Sequence, residues 1–205
     1  MTAREEVLAR VRRAAAAVPS QPVEVPRGYR DEVPPPDLLT LFIERVEDYR
    51  AIVTRCTAAD LPSEVARAVI GCGSVVTPPG LDVPVPGAVA DRGPGSGPLT
   101  AAELDRIDAV VTTASVGIAA TGTIVLEHGL PGQGRRALSL VPDRHVCIVA
   151  ADQVVLDVPQ AVARLNPARP QTWISGPSAT SDIELNRVEG VHGPRTLHVL
   201  VVAHR

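Results

Sequence analysis

The apolar runs of this chain do not alternate with polar residues. Ala109 to Thr113, His145 to Ala150 and Leu197 to Val202 are each almost continuously aliphatic. A strand with one wet face alternates, whereas a strand covered on both faces does not. Cover on both faces is the mark of a parallel sheet flanked by helices. The runs therefore predict an α/β protein with a mainly parallel open sheet. Hydrophobic residues make up 45% of the chain and aromatic residues only 2%, so Val, Leu, Ile and Ala must build the core.

Around these runs the chain reads as strand–helix alternation. Glu5 to Val18 has Val7, Leu8, Val11 and Ala15 at helical spacing, and Pro19 to Pro36 is a proline-rich arm. Residues 1–36 are thus expected as a helix and arm, with the α/β domain over 37–205. The arm leaves open packing of the first helix on another subunit, and with it a homo-oligomer. Leu38, Leu39, Phe42, Ile43 and Val46 predict a second helix ending near Arg50. Ala51 to Arg55, Ser74 to Thr77 and Ala109 to Thr113 read as strands, and Pro62 to Ile70 as a helix. Thr100 with Glu103 makes a capping box that opens a helix running to Ile107. Val116 to Ala120 and Thr123 to Glu127, parted by Thr121-Gly122, suggest a hairpin or kinked strand. Apolar Arg136 to Val141 and His145 to Ala150 flank a second turn. These two features predict an antiparallel excursion from the parallel sheet.

The charge excludes some functions. Net charge is −3, and all 20 basic residues are arginine. An acidic chain with few aromatics lacks the basic footprint and stacking platforms that nucleic acids require. Cys56, Cys72 and Cys147 lie far apart without a Cys-x-x-Cys pair, so neither a metal site nor an iron–sulfur cluster is expected, and no cofactor is predicted. Thr2 to Val18 has no signal-peptide core, and no apolar run approaches the roughly 20 residues that span a bilayer. A cytoplasmic protein without membrane contact is expected.

The richest candidate for chemistry is Trp173 to Pro194. An apolar run, Thr172 to Ser175, stops at the tight turn Gly176-Pro177. Ser178, Thr180, Ser181 and Asp182 follow, and Asp182 to Glu189 reads as a helix. A strand-to-helix corner of an α/β sheet is where anions bind, on backbone N–H groups without intrahelical partners. The expected ligand-binding set is Thr121, Gly122, Thr123, Gly176, Pro177, Ser178, Thr180, Asp182 and Gly193. Glu184 and His192 are the candidates for acid–base or ligand contact. Small residues at Gly122 and Gly193 would let backbone approach a ligand. The alternative is that Ser178, Thr180 and Asp182 only cap a helix. Gly129 to Gly134, before Arg135-Arg136, reads as a mobile turn or an anion cradle. His145 beside Asp143 and Arg144 offers a second accessible imidazole.

Three motifs resemble one family. Gly117-Ile-Ala-Ala-Thr-Gly-Thr-Ile-Val-Leu126, Leu140-Val-Pro-Asp-Arg-His-Val-Cys147 and Gly176-Pro-Ser-Ala-Thr-Ser-Asp-Ile-Glu184 through Gly190-Val-His-Gly-Pro194 occur in this order. They resemble the lactate-utilisation protein C family, or LUD domain, over roughly residues 45 to 203. The resemblance implies a fold similar to the sugar-phosphate isomerase and CoA-transferase superfamily. It also implies participation in oxidation of L-lactate to pyruvate alongside iron–sulfur subunits as partners. Ala120 stands where relatives commonly carry an acidic residue, and the resemblance assigns no catalytic residue. Two functions are therefore carried forward: an accessory subunit without a redox cofactor, or an autonomous enzyme or sensor of a small anionic metabolite such as a carboxylate, sugar phosphate or CoA thioester.

Overall fold

A computed structural model of the chain describes residues 2–16, 24–26, 37–91, 97–180, 188–189 and 193–203. It divides into two compact units, Met1–Glu32 and Val33–Arg205. The first holds α1 (Ala3–Ala16), which buries no residue.

In the second unit, α2 (Leu38–Asp48) begins where Asp37 accepts a hydrogen bond from the Thr40 N–H at 2.9 Å. Its apolar stripe buries Phe42, Ile43 and Val46. There follow β1 (Ile52–Thr57), α3 (Leu61–Ala68), β2 (Val75–Thr77), β3 (Ala88–Ala90), α4 (Ala101–Leu104) and β4 (Ala109–Thr113). The predicted capping box opens α4: Thr100 Oγ1 accepts from Glu103 N, and Glu103 accepts from Thr100 N. Next come β5 (Val116–Ile118), β6 (Thr123–Glu127), a 3-10 turn (Arg136–Ser139), β7 (Arg144–Ala150), β8 (Val154–Val155), α5 (Val158–Arg164) and β9 (Gln171–Ile174). The last are β10 (Ala179–Thr180), β11 (Val188–Glu189) and β12 (Thr196–Ala203).

Over the described residues, six strands form one sheet in the order β1-β12-β7-β4-β2-β3, every pairing parallel. Its central strands are buried on both faces, as the non-alternating runs require. Cys147 and Val149 of β7, with Val199 and Val201 of β12, join α2 in one cluster. The intervening Val146, Ile148 and Leu200 join α3 in another. Adjacent residues of one strand thus feed opposite layers, a consequence of the two-residue period.

The antiparallel excursion is a second sheet, ordered β8-β5-β6-β9. β5–β6 and β6–β9 run antiparallel, and β5–β8 parallel. Arg136 to Val141 adds nothing to it, because Arg136–Ser139 turns as a 3-10 helix. Of the helix expected over Asp182 to Glu189, residues 182–187 lie outside the described residues, and the last two are not helical. Val188–Glu189 is a strand, paired antiparallel with Ala179–Thr180. Among the described residues no helix is long and apolar enough to cross a membrane.

Candidate functional site

β9 ends at Ile174, and the chain turns through Gly176 with φ +82°. Ser178 N–H then donates to Pro194 O at 2.8 Å, which fastens the outgoing and returning segments together. Between this corner, the 3-10 turn and the start of β7 lies a cavity of about 330 Å³. The corner contributes Ser175, Gly176, Pro177 and Ser178, and the return contributes Gly193. Arg136, Ser139 and His145 close the other side, and Trp173 lies beside the corner. A small concave space with a few convergent polar groups is the usual form of a small-ligand site.

The structure therefore gathers Gly176, Pro177, Ser178 and Gly193 of the predicted set. Thr121 and Thr123 join them indirectly. Thr121 Oγ1 lies 2.7 Å from Thr123 Oγ1, which lies 2.9 Å from Ser175 Oγ at the cavity wall. Thr180 enters β10 by its backbone. Asp182, Glu184 and His192 lie outside the described residues. Among the described residues, the corner leads into β10 and not directly into a helix.

Gly122 has a different purpose from the one its size suggested. Its φ is +60°, and a Cβ there would lie 2.5 Å from Arg45 O at the end of α2. Gly176 likewise abuts Tyr49, whose Cβ would lie 2.5 Å away. Both glycines let the second sheet close on the C-terminal end of α2. Ala120 is exposed and does not line the cavity.

His145 is not the accessible imidazole expected of its turn. It is 1% exposed, with Nε2 2.8 Å from Thr112 Oγ1. Burial pulls its pKa down to about 4, so the ring is neutral at pH 7. Arg136 and His145 are the residues that sequence reasoning missed as one site. Their only signals were a cation after a glycine-rich turn and a histidine opening an aliphatic run.

The glycine-rich turn itself is neither loose nor a cradle. Gly129 N donates to Gly134 O, Gly132 N to Pro79 O and Gly134 N to Leu130 O, so its N–H groups are already engaged. A second cavity of about 570 Å³ beside this turn is mostly apolar, and its charged residues, Asp91 and Arg135, bind each other.

A parallel six-stranded sheet, a mixed second sheet and a small cavity at their junction define an α/β protein. The LUD domain model matches residues 99–202, and with the full-length relative below this establishes that the chain belongs to the LUD domain family. It is 45% identical to "Lactate utilization protein C" of Deinococcus radiodurans over 209 residues, which cover 98% of this chain and 95% of that protein. "Lactate utilization protein C" of an Exiguobacterium species is 35% identical over 105 residues, covering 47% of this chain and 45% of its own. The crystal structure of a DUF162 family protein from Deinococcus radiodurans superposes with a TM-score of 0.66 at 42% identity, covering 80% of this chain and 96% of that one.

Proposed function

We propose that this protein acts in lactate utilisation, as a cytoplasmic accessory subunit, without a redox cofactor of its own, of an iron–sulfur system that oxidises L-lactate to pyruvate. The observation that carries the reading is the near full-length identity to a protein named for lactate utilisation. The donor set of this chain supports assigning electron transfer to partner subunits. Cys147 is fully buried beside Thr112, and burial pushes its thiol up to about 12. Cys56 is buried on β1, with its thiol also raised by burial, and Cys72 lies beyond α3. Three thiols on separate elements, two of them held protonated, are a poor set for a cluster that needs converging thiolates.

The cavity favours a second element of the reading, binding of a small anion at the Gly176–Ser178 corner. Asp182, Glu184 and His192 follow that corner in sequence and are kept in this proposal as candidate polar contacts. The role is tested by deleting the gene and growing cells on L-lactate or on pyruvate as sole carbon source. Loss of growth on lactate alone, restored by the intact gene, is the expected result. Copurification with proteins showing the broad visible absorbance of iron–sulfur clusters would support the partnership. Normal growth on lactate would remove the reading.

A further inference from the structure

We infer that the outer edge of β9, with the recess beside α5, is a docking site for an extended acidic segment of a partner protein, which adds a strand to the second sheet. The surface rests on geometry and charge, and it stands whether or not the lactate reading does.

β9 is the last strand of its sheet and pairs with β6 alone among the described residues. Across that pair Pro170 O accepts from His128 N at 2.9 Å. Backbone groups alternate sides along a strand, so Thr172 and Ile174 also face β6, whereas Gln171 and Trp173 turn their N–H and C=O outward. No backbone hydrogen bond among the described residues takes up those four groups. Open edges are usually blunted by a charge, a proline or a bulge. Gln171 to Ile174 carries neither a charge nor a proline, and its register on β6 is regular throughout.

The side chains beside this edge are largely apolar and already fixed. Trp173 lies opposite Val125, which packs with Ala161 and Leu165 of α5. Opposed residues share a face, so Trp173, and Gln171 two places before it, lie on the α5 side. Trp173 is 41% exposed, and its indole N–H donates to Gln171 Oε1 at 3.1 Å. Gln171 Nε2 in turn donates to Asn166 O. Next to them Val162, Leu165 and Pro167 line a recess of about 360 Å³, and Val162 is 56% exposed. A held aromatic beside an apolar recess is the composition of a binding hot spot, and a recess along an open edge is how added strands are recognised.

Charge selects the occupant. The chain as a whole is acidic at −3, yet no Asp or Glu occurs between Asp157 and Asp182, where the charged residues are Arg164 and Arg169. Arg169 lines the recess itself. A second copy paired edge to edge would bring like arginines together, whereas carboxylates complement them. Side chains two apart on the added strand share the α5 face, so the fitting pattern is an apolar residue with an acidic one two positions away.

The probe is a blocked heptapeptide, Thr-Glu-Thr-Val-Thr-Glu-Thr, which sets Val between two Glu on one face. Trp173 is the only tryptophan of the chain, so its fluorescence reports on this surface. Titrated into the full chain at pH 7 and low salt, the peptide should give a saturable blue shift, half-complete below about 1 mM. A copy with Lys for Glu, and a copy N-methylated along its backbone, should each bind about 10-fold or more weakly. Val162→Glu and Arg169→Glu stand at exposed positions and should melt as the wild type does. Each should weaken the acidic peptide by about 10-fold or more. Equal binding of either control peptide, undiminished binding by either variant, or no saturable shift would each overturn the site. So would sedimentation showing a dimer that Val162→Glu dissociates, because a second copy would then be the occupant. Peptide binding with normal growth of the deletion strain on lactate would keep this surface and remove the pathway role; lost growth without peptide binding would do the reverse.

Discussion

Asp91 and Arg135 are joined by two parallel hydrogen bonds, Nε to Oδ2 at 2.8 Å and Nη2 to Oδ1 at 3.0 Å. The pair is closed by a third residue: Leu99 N–H donates to Asp91 Oδ1, and Leu99 O accepts from Arg135 Nη2. The Asp91 side chain is 5% exposed and that of Arg135 35%. Breaking a buried pair leaves one charge uncompensated, at a cost of about 3–5 kcal/mol, and partial exposure of Arg135 lowers this to about 2–3 kcal/mol for Asp91→Ala. Urea unfolding should show that loss. Arg45→Ala breaks an ion pair exposed on both sides and should cost under about 0.5 kcal/mol.

Gly122→Ala should destabilise the fold by about 2 kcal/mol or more. The substitution combines a left-handed φ with a Cβ driven into the α2 backbone. Gly129→Ala is the control, because φ is +90° but nothing lies within 4 Å of the new carbon. It should cost about 1 kcal/mol, the conformational part alone. Thermal melts of the two variants separate strain from collision.

Stability should fall on acidification below pH 6.5. His145 titrates near 4 in the fold and near 6.5 when unfolded, so between these values the unfolded chain binds the extra proton. Stability is full above pH 6.5 and declines by up to about 1.4 kcal/mol per pH unit, approaching roughly 3 kcal/mol near pH 4. His198 and His128 are also depressed, first by burial and, with opposing or additional contributions, by nearby arginine charge, and act in the same direction. Asp91 enters lower still. Burial would raise its carboxyl, but the Arg135 and Leu99 bonds and the Arg135 charge outweigh this, so its contribution is lost below the ordinary carboxylate range. Unfolding curves from pH 8 to 4 for wild type and His145→Gln test this; the variant should show a shallower slope.

Thiol labelling of the folded protein should mark Cys72 first. Cys72 is half-exposed, whereas Cys147 is fully buried and its thiolate is suppressed. Peptide mass spectrometry after timed alkylation should find Cys147 modified only under unfolding conditions.

Local patterns were readable in advance, and long-range partnerships were not. Val146 to Val149 announced a strand buried on both faces because the absence of alternation is written into consecutive residues. Thr100 and Glu103 announced their capping box because both halves lie within one turn. Nothing adjacent to Thr172 or Trp173 indicates pairing with Leu126 and Val125, so the second sheet could not be separated from the first. Gly122 shows the same limit: its smallness was visible, but the surface requiring it belongs to Arg45, far upstream. Half of the cavity was legible for the same reason. The Gly176-Pro177-Ser178 corner is a local turn signal, whereas Arg136 and His145 reach it only through tertiary packing.

The position of β12 governs the order in which this fold can assemble. It lies between β1 and β7, parallel to both, yet it is the last described strand to leave the ribosome. Until Thr196–Ala203 emerges, β1 and β7 each present an unfilled backbone edge, and neither can pair with the other across the gap. Folding of the α/β unit therefore waits for this strand and closes a loop of nearly the whole domain, a slow step by topology. During that interval the exposed edges are the chain's main hazard for association with other unfinished copies, and a chaperone would find its binding surface there.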